Sequence, residues 1–287
     1  MRFVAYRPKK QENPKNNAIG VVLGDRVAAL TTIDEFYANI DGWRIKAASL
    51  TQGDLPVSDL VLAPPIPCDA KVLCAAINYV KHGAESKLPT PKFPNLFARW
   101  SAELVVDGTP VPVPLAEPDG LDWEVELAAI VGQKSINVDE ATGQSNVFGY
   151  TVANDISARG SQLNSMTLST GQWALGKNAD KSGAIGSFVE TADSVDVGNL
   201  GIEAIVDGEV MQSGSTADMI FSVGALIAWA SRHVTLRPGD LILTGTPDGV
   251  GFGRNPRIYM KPGAQVTVSV RGVCSITNPI VDHSHRG

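Results

Sequence analysis

Apolar and polar residues alternate along most of this chain at the period of a strand. RFVAY opens it, AIGVVLG and RVAAL follow on either side of a Gly-Asp turn, and ELVVDG, EVELAAIVG, VFGYTVAND, GIEAIVDGEVM, DLILTGT and QVTVSV come later, punctuated by Gly and Pro. Short alternating or continuous apolar runs bounded by turn residues predict strands. Helical spacing is rarer. A short helix is expected to open near Thr32, and a clearer one from Ser215 or Thr216 as cap, because Ile220, Val223, Leu226, Ile227 and Ala230 then form one apolar stripe to pack on a sheet. The expected fold class is mainly β, α+β. VLAPPIPCDA carries three prolines, which suits a connection better than a regular element. The boundary is set there, with a small N-terminal α+β domain over 1–65 and a mainly β domain over 66–287.

Within LDWEVELAAIVG, residues 121–132, Glu124 and Glu126 are two apart. In a strand they share one face, opposite Trp123, Val125 and Leu127. Side by side, one carboxylate is forced to hold a proton unless a cation lies between them. The alternative is a half-buried edge strand with both acids in water. Asp155 falls at the end of the strand in FGYTVANDISARG, where it is either a cap or a third carboxylate. Three carboxylates with no His or Cys pattern nearby suit a hard ion, Mg²⁺ or Mn²⁺, and suit zinc poorly.

In NYVKHGAES, His82 and Glu85 are three apart and share a face if the segment is helical. A carboxylate so placed orients the imidazole and stabilises its protonated form. His233 follows the predicted helix and is expected at its C-terminal end, while His283 and His285 lie in an expected frayed tail. Lys177, in GQWALGKNAD, reads on its own as a solvated loop cation. TGTPDGVGFGRN, residues 244–255, lacks both the P-loop ending and a following helix. It is either a plain tight turn or, with its backbone N–H groups beside the hydroxyls of Thr244 and Thr246, a cradle for a carboxylate.

Composition narrows the ligand. The 287 residues are 44% hydrophobic and 19% charged, an ordinary globular balance, and the net charge of −6 with scattered lysines and arginines argues against a nucleic-acid surface. A small molecule is the expected partner. MRFVAYRPKK lacks the apolar run of a signal peptide and no apolar stretch is long enough to span a bilayer, so the expectation is a cytoplasmic protein with no membrane partner. Cys68, Cys74 and Cys274 follow no zinc spacing and read as small buried hydrophobes.

Taken together, INYVKHGAE at 77–85, DWEVELAAIVG at 122–132, GYTVANDISAR at 149–159, GQW and GK within 171–177, STADMIF at 215–221 and LRPGDLILTGTPDGVG at 236–251 resemble the fumarylacetoacetate hydrolase family over most of residues 70–275. The resemblance implies a mixed β-roll catalytic domain, a divalent metal held by Glu124, Glu126 and Asp155, and usually a homodimer. It also implies that His82 with Glu85 activates a water, that Lys177 lies against the substrate or its oxyanion, and that Gln162, Thr246, Arg159 and Tyr79 contact the substrate. Three departures surround the expected pocket. NADKSGAIGS, residues 178–187, lacks the prolines and aromatic common after the family's lysine, Gly160 stands where an Asp often follows SAR, and Arg99 stands where a Lys is common.

The chemistry implied is Mg²⁺-dependent hydrolysis of a C–C bond in a 2,4-dioxo acid of the acylpyruvate or fumarylacetoacetate kind. The metal polarises the chelated carbonyl and stabilises the enolate, His82 acts as general base on water, and Lys177 compensates the tetrahedral oxyanion. The same enolate serves the alternatives, an oxaloacetate-type decarboxylase or a 2-hydroxydienoate isomerase. A catalytically silent metal-binding or scaffold protein is the alternative from another class.

Overall fold

The computed structural model describes residues 1–8, 13–85, 89–163 and 171–285. Its strands form two mixed sheets with few helices, the mainly β, α+β architecture expected. In the larger sheet the order of neighbours runs Arg26–Thr32, Ala18–Leu23, Arg2–Arg7, Phe188–Thr191, Val147–Asp155, Val125–Val131, Leu241–Leu243, Val72–Ala76 and Asn95–Arg99. The smaller one orders Glu209–Ser215, Gly201–Val206, Gln265–Val270, Cys274–Val281 and Val111–Pro112. The N-terminal hairpin continues the larger sheet, because Arg2–Arg7 pairs antiparallel with Phe188–Thr191, Phe3 opposite Val189. Val61–Leu62, at the start of the proline-rich stretch, pairs with Tyr6 and Arg7 before the chain turns irregular.

Val125–Val131 and Val147–Asp155 lie at the middle of the molecule and are buried at every position. Their faces meet different cores. Val125, Leu127, Ala129 and Val131 pack with Ala204, Val268 and Ile276 of the smaller sheet. Ala128 and Ile130 point the other way, into a core with Phe3, Phe36 and Phe148 whose rings meet edge-on or tilted at 5.2–5.6 Å. Glu126 therefore lies on the face of Ala128 and Ile130, one residue beyond the apolar run.

Several elements differ from the pattern. The clear helix spans Val223–Ser231 and is capped by Ser222, whose hydroxyl accepts from Ala225 N–H at 3.0 Å. Ser215 ends a strand and caps only the 3₁₀ turn Thr216–Asp218, its hydroxyl accepting from Ala217 N–H at 3.2 Å, and Ile220 precedes the α-helix. Asn78 is the cause: its backbone oxygen takes the Ile220 N–H and its side-chain oxygen the Phe221 N–H, both at 2.8 Å, so the 3₁₀ turn does not continue into the α-helix. ELVVDG yields only the strand Leu104–Val105. GIEAIVDGEVM is two strands, turning at Asp207 and Gly208, both with positive φ, 51° and 86°. Cys74 and Cys274 are buried, but Cys68 is exposed. His283–His285 form one 3₁₀ turn with no buried residue. Among the described residues no helix is long and apolar enough to cross a membrane.

Candidate metal and substrate site

Glu124, Glu126 and Asp155 converge, each buried, with one oxygen from each lying within 4.8 Å of the others. Register does this. The strands Val125–Val131 and Val147–Asp155 are antiparallel, Glu126 opposite Ala153, and Asp155 donates its N–H to Glu124 O at 2.9 Å, so the end of one strand meets the start of the other. The edge-strand alternative is thereby excluded, since Glu126 is 1% exposed. An all-oxygen set at this spacing fits a divalent ion that takes carboxylates and keeps waters.

Three cations surround the acids. Lys177 Nζ donates to Asp155 Oδ2 at 2.6 Å and Glu124 Oε2 at 2.8 Å. Arg159 pairs with Glu124 and, at 2.8 Å, with Asp122; Arg99 pairs with Asp155. Lys177, read from the sequence as solvated surface, is 2% exposed, because the helix Trp173–Gly176 that it caps folds over the site. Burial alone would raise the Glu124 carboxyl, but Lys177 and then Arg159 outweigh it and hold the group below the carboxylate range. Glu126 goes the other way: burial first, then the charges of Asp155 and Glu124, push its carboxyl well above that range. A divalent ion held by the three carboxylates would supply positive charge beside Glu126 and favour its ionised form.

The glycine-rich loop at 244–252 does cradle carboxylates, and they are the protein's own. Gly245 N–H donates to Glu126 Oε2 at 2.7 Å, Gly249 N–H to both Glu85 oxygens at 3.2 Å, and Gly251 and Phe252 N–H to Asp122 at 2.6 and 3.0 Å. Gly245 has a φ of +90° and a Cβ there would stand 2.8 Å from Asn78 Cβ, so this position requires glycine.

His82 and Glu85 lie on the helix Val80–Glu85, His82 Nδ1 3.5 Å from Glu85 Oε2. That is an ion-pair distance without hydrogen-bond geometry, and Nδ1 has no hydrogen-bond partner among the described residues. His82 lines a cavity of about 260 Å³ together with Glu124, Arg159, Gln162, Lys177 and Thr246, and apolar walls from Phe97, Trp173 and Phe252. Gln162 accepts from Arg159 at 2.9 Å. Tyr79 is outside this lining; it is 1% exposed, its hydroxyl has no hydrogen-bond partner among the described residues, and burial and the charge on Glu126 raise its phenol.

Two contributors escaped the sequence. Gln212, at an alternating strand position, accepts from Val125 N–H at 3.0 Å and donates to the Thr246 hydroxyl at 2.8 Å, tying the glutamate strand to the glycine loop. No local pattern marks it. Asp122 could have been suspected as a third acid beside the glutamates; it is fully buried and binds the loop and Arg159 together.

Fold and site together describe a mixed-sheet protein with a buried carboxylate triad facing a histidine-lined cavity. Residues 71–281 match the family described as fumarylacetoacetate (FAA) hydrolase C-terminal, and the chain belongs to that family. It is 40% identical over 236 residues to an oxaloacetate tautomerase, mitochondrial, of Xenopus laevis, covering 82% of this chain and 73% of the relative. Among solved structures, maleylpyruvate hydrolase from Sphingobium sp. SYK-6, in complex with manganese(II) and pyruvate, is 25% identical with a TM-score of 0.79, covering 98% of this chain and 99% of that one. The 2-hydroxyhepta-2,4-diene-1,7-dioate isomerase of Mycobacterium marinum is 29% identical with a TM-score of 0.76, covering 98% of each chain. These relatives are enzymes of different reaction types.

Proposed function

We propose that this chain is a Mg²⁺- or Mn²⁺-dependent enzyme interconverting the enol and keto forms of a small 2-oxo acid of the oxaloacetate type. The observation that carries this reading is the shared cavity: His82 lines it beside Glu124, one of three convergent carboxylates. Its volume, about 260 Å³, lies below the range of drug-sized pockets and suits a four-carbon acid. The 40% identity to an oxaloacetate tautomerase supports the same choice.

Glu124, Glu126 and Asp155 would hold the ion, which supplies a Lewis acid for the 2-oxo group. His82 would take the proton from C3 of the keto form and return it there in the reverse direction, while the C2 oxygen gains the proton that makes the enol; no atom of water enters the product. Glu85, fixed by Gly249 N–H, would balance the imidazolium. Arg159 and Gln162 would meet the substrate carboxylate, and Lys177 would offset enolate charge.

Hydrolysis of an acylpyruvate is the second reading, favoured by the same His82–Glu85 pair, which could deprotonate a water as readily as a carbon acid. Enol oxaloacetate with Mg²⁺ separates the two. Loss of enol absorbance faster than the spontaneous rate, without CO₂ release, is the expected result. Spontaneous decay of oxaloacetate together with ¹⁸O from labelled water in the carboxylate released from an acylpyruvate would make the enzyme a hydrolase; CO₂ would make it a decarboxylase. The homodimer implied by the family resemblance belongs to the same proposal, and a monomer mass in sedimentation equilibrium would remove it.

A further inference from the structure

Glu117 stands on the loop that leads into the glutamate strand and is 3% exposed. Its carboxylate accepts three hydrogen bonds from the first turn of the helix Arg159–Leu163. Oε2 takes the Gly160 N–H at 2.8 Å; Oε1 takes the Ser161 N–H at 2.6 Å and the Ser161 hydroxyl at 2.5 Å. Gly160 makes the room, since a Cβ there would lie 2.8 Å from Glu117 Oε2 and 3.2 Å from its Cδ. A side chain at 160 and the carboxylate of Glu117 thus compete for one space, and a residue 43 positions away fills it.

The helix needs this anchor. It has five residues, too few to be stable by itself. Its outer side borders a cleft of about 480 Å³ lined by Glu117, Gly160, Leu163 and Tyr259, while its other end is held by Trp173–Gly176, where Gln172 N–H donates to Gln162 O at 3.0 Å, so its first turn is left to Glu117. Yet Arg159 and Gln162, both on this helix, line the smaller cavity with His82. The metal-facing carboxylates come from elsewhere, from the two central strands and the residue preceding them.

We propose that Glu117 is a positioning residue: by fixing the first turn of Arg159–Leu163 it holds Arg159 and Gln162 at the cavity and thereby sets the affinity for the carboxylate of a bound 2-oxo acid. The claim rests on the reading of the cavity as a 2-oxo acid site. Among the described residues the helix meets the metal-facing carboxylates only through the Arg159–Glu124 pair, so Glu117 acts more on acid affinity than on metal affinity.

The test uses the full chain, with Mn²⁺ binding followed by water-proton relaxation and pyruvate binding to the Mn²⁺-loaded protein by calorimetry. Glu117→Ala should bind pyruvate about tenfold more weakly, the change that about 1.4 kcal/mol produces, with Mn²⁺ affinity within about threefold of the parent. Adding Gly160→Asp to Glu117→Ala should recover most of the pyruvate affinity, because the new carboxylate starts from the space that Glu117 left. Parental pyruvate affinity in Glu117→Ala overturns the assignment, as does a parallel loss of Mn²⁺, which would mark general unfolding, or a failure of the second substitution to rescue. A parent that binds Mn²⁺ but no pyruvate overturns the reading of the cavity, and the role in acid affinity with it.

Discussion

Lys177 Nζ lies 2.6 Å from Asp155 Oδ2, and both side chains are almost wholly buried, 2% and 1% exposed. Removing one member of a buried pair costs about 3–5 kcal/mol when the other charge is left alone; here Arg99 still pairs with Asp155 and Arg159 with Glu124, which offsets part of that cost. Lys177→Met should therefore be less stable than the parent in the presence of a chelator, by less than that full cost. Saturating Mn²⁺ should stabilise this variant by more than it stabilises the parent, because the ion restores positive charge beside Asp155 and Glu124. Thermal melts of both proteins with and without Mn²⁺ check this; equal stability of the two in chelator would contradict it.

Glu126 should couple metal binding to protons. Burial and the charges of Asp155 and Glu124 raise its folded-state pKa, so below that pKa an entering ion must displace a proton. Mn²⁺ affinity of the parent should rise with pH through the raised pKa, and Glu126→Gln should bind Mn²⁺ more weakly and lack that rise. The ion-free proteins give the sign independently. A group with a raised folded pKa contributes stability that is present below its unfolded pKa and lost as pH climbs through the folded value. Urea denaturation in chelator should show the parent losing stability relative to Glu126→Gln on the alkaline side. Glu124 shifts downward, so its contribution is lost as pH falls, on the acid side and outside the alkaline window in which the two proteins are compared.

His82→Ala should separate chemistry from binding. Removal of a general acid–base group typically costs about 10² to 10⁴ in rate, while the carboxylates that would bind Mn²⁺ stand on other elements. Turnover of enol oxaloacetate should collapse with Mn²⁺ and pyruvate affinities little changed. Turnover at the parental rate would make His82 structural and move the base elsewhere.

What could be read from the sequence was whatever repeats within one element. Strand alternation put Glu124 and Glu126 on one face, and the spacing of His82 and Glu85 put them on one helical face, because both depend only on the geometry of a few consecutive residues. The ordered motifs added the third carboxylate, Asp155, and with it the family. The short strand-like runs punctuated by Gly and Pro similarly sufficed for a mainly β class. Tertiary structure alone decided who stands opposite these residues. Lys177 looks solvated in its own segment and is buried only because its helix folds over the acids. Gly245 reaches Glu126 across 119 positions, Gly251 reaches Asp122 across 129, and Gln212 reaches Val125 across 87. Ser222 displaces Ser215 as the α-helix cap because Asn78, 143 positions from Phe221, takes the N–H groups that a continuous helix would need. Glu117 caps a helix whose own first-turn residue is a glycine. A chain closes such distances through the pairing of whole sheets, whose register no local window contains, and hydrogen bonds that satisfy buried carboxylates form only once that register has brought their donors within reach.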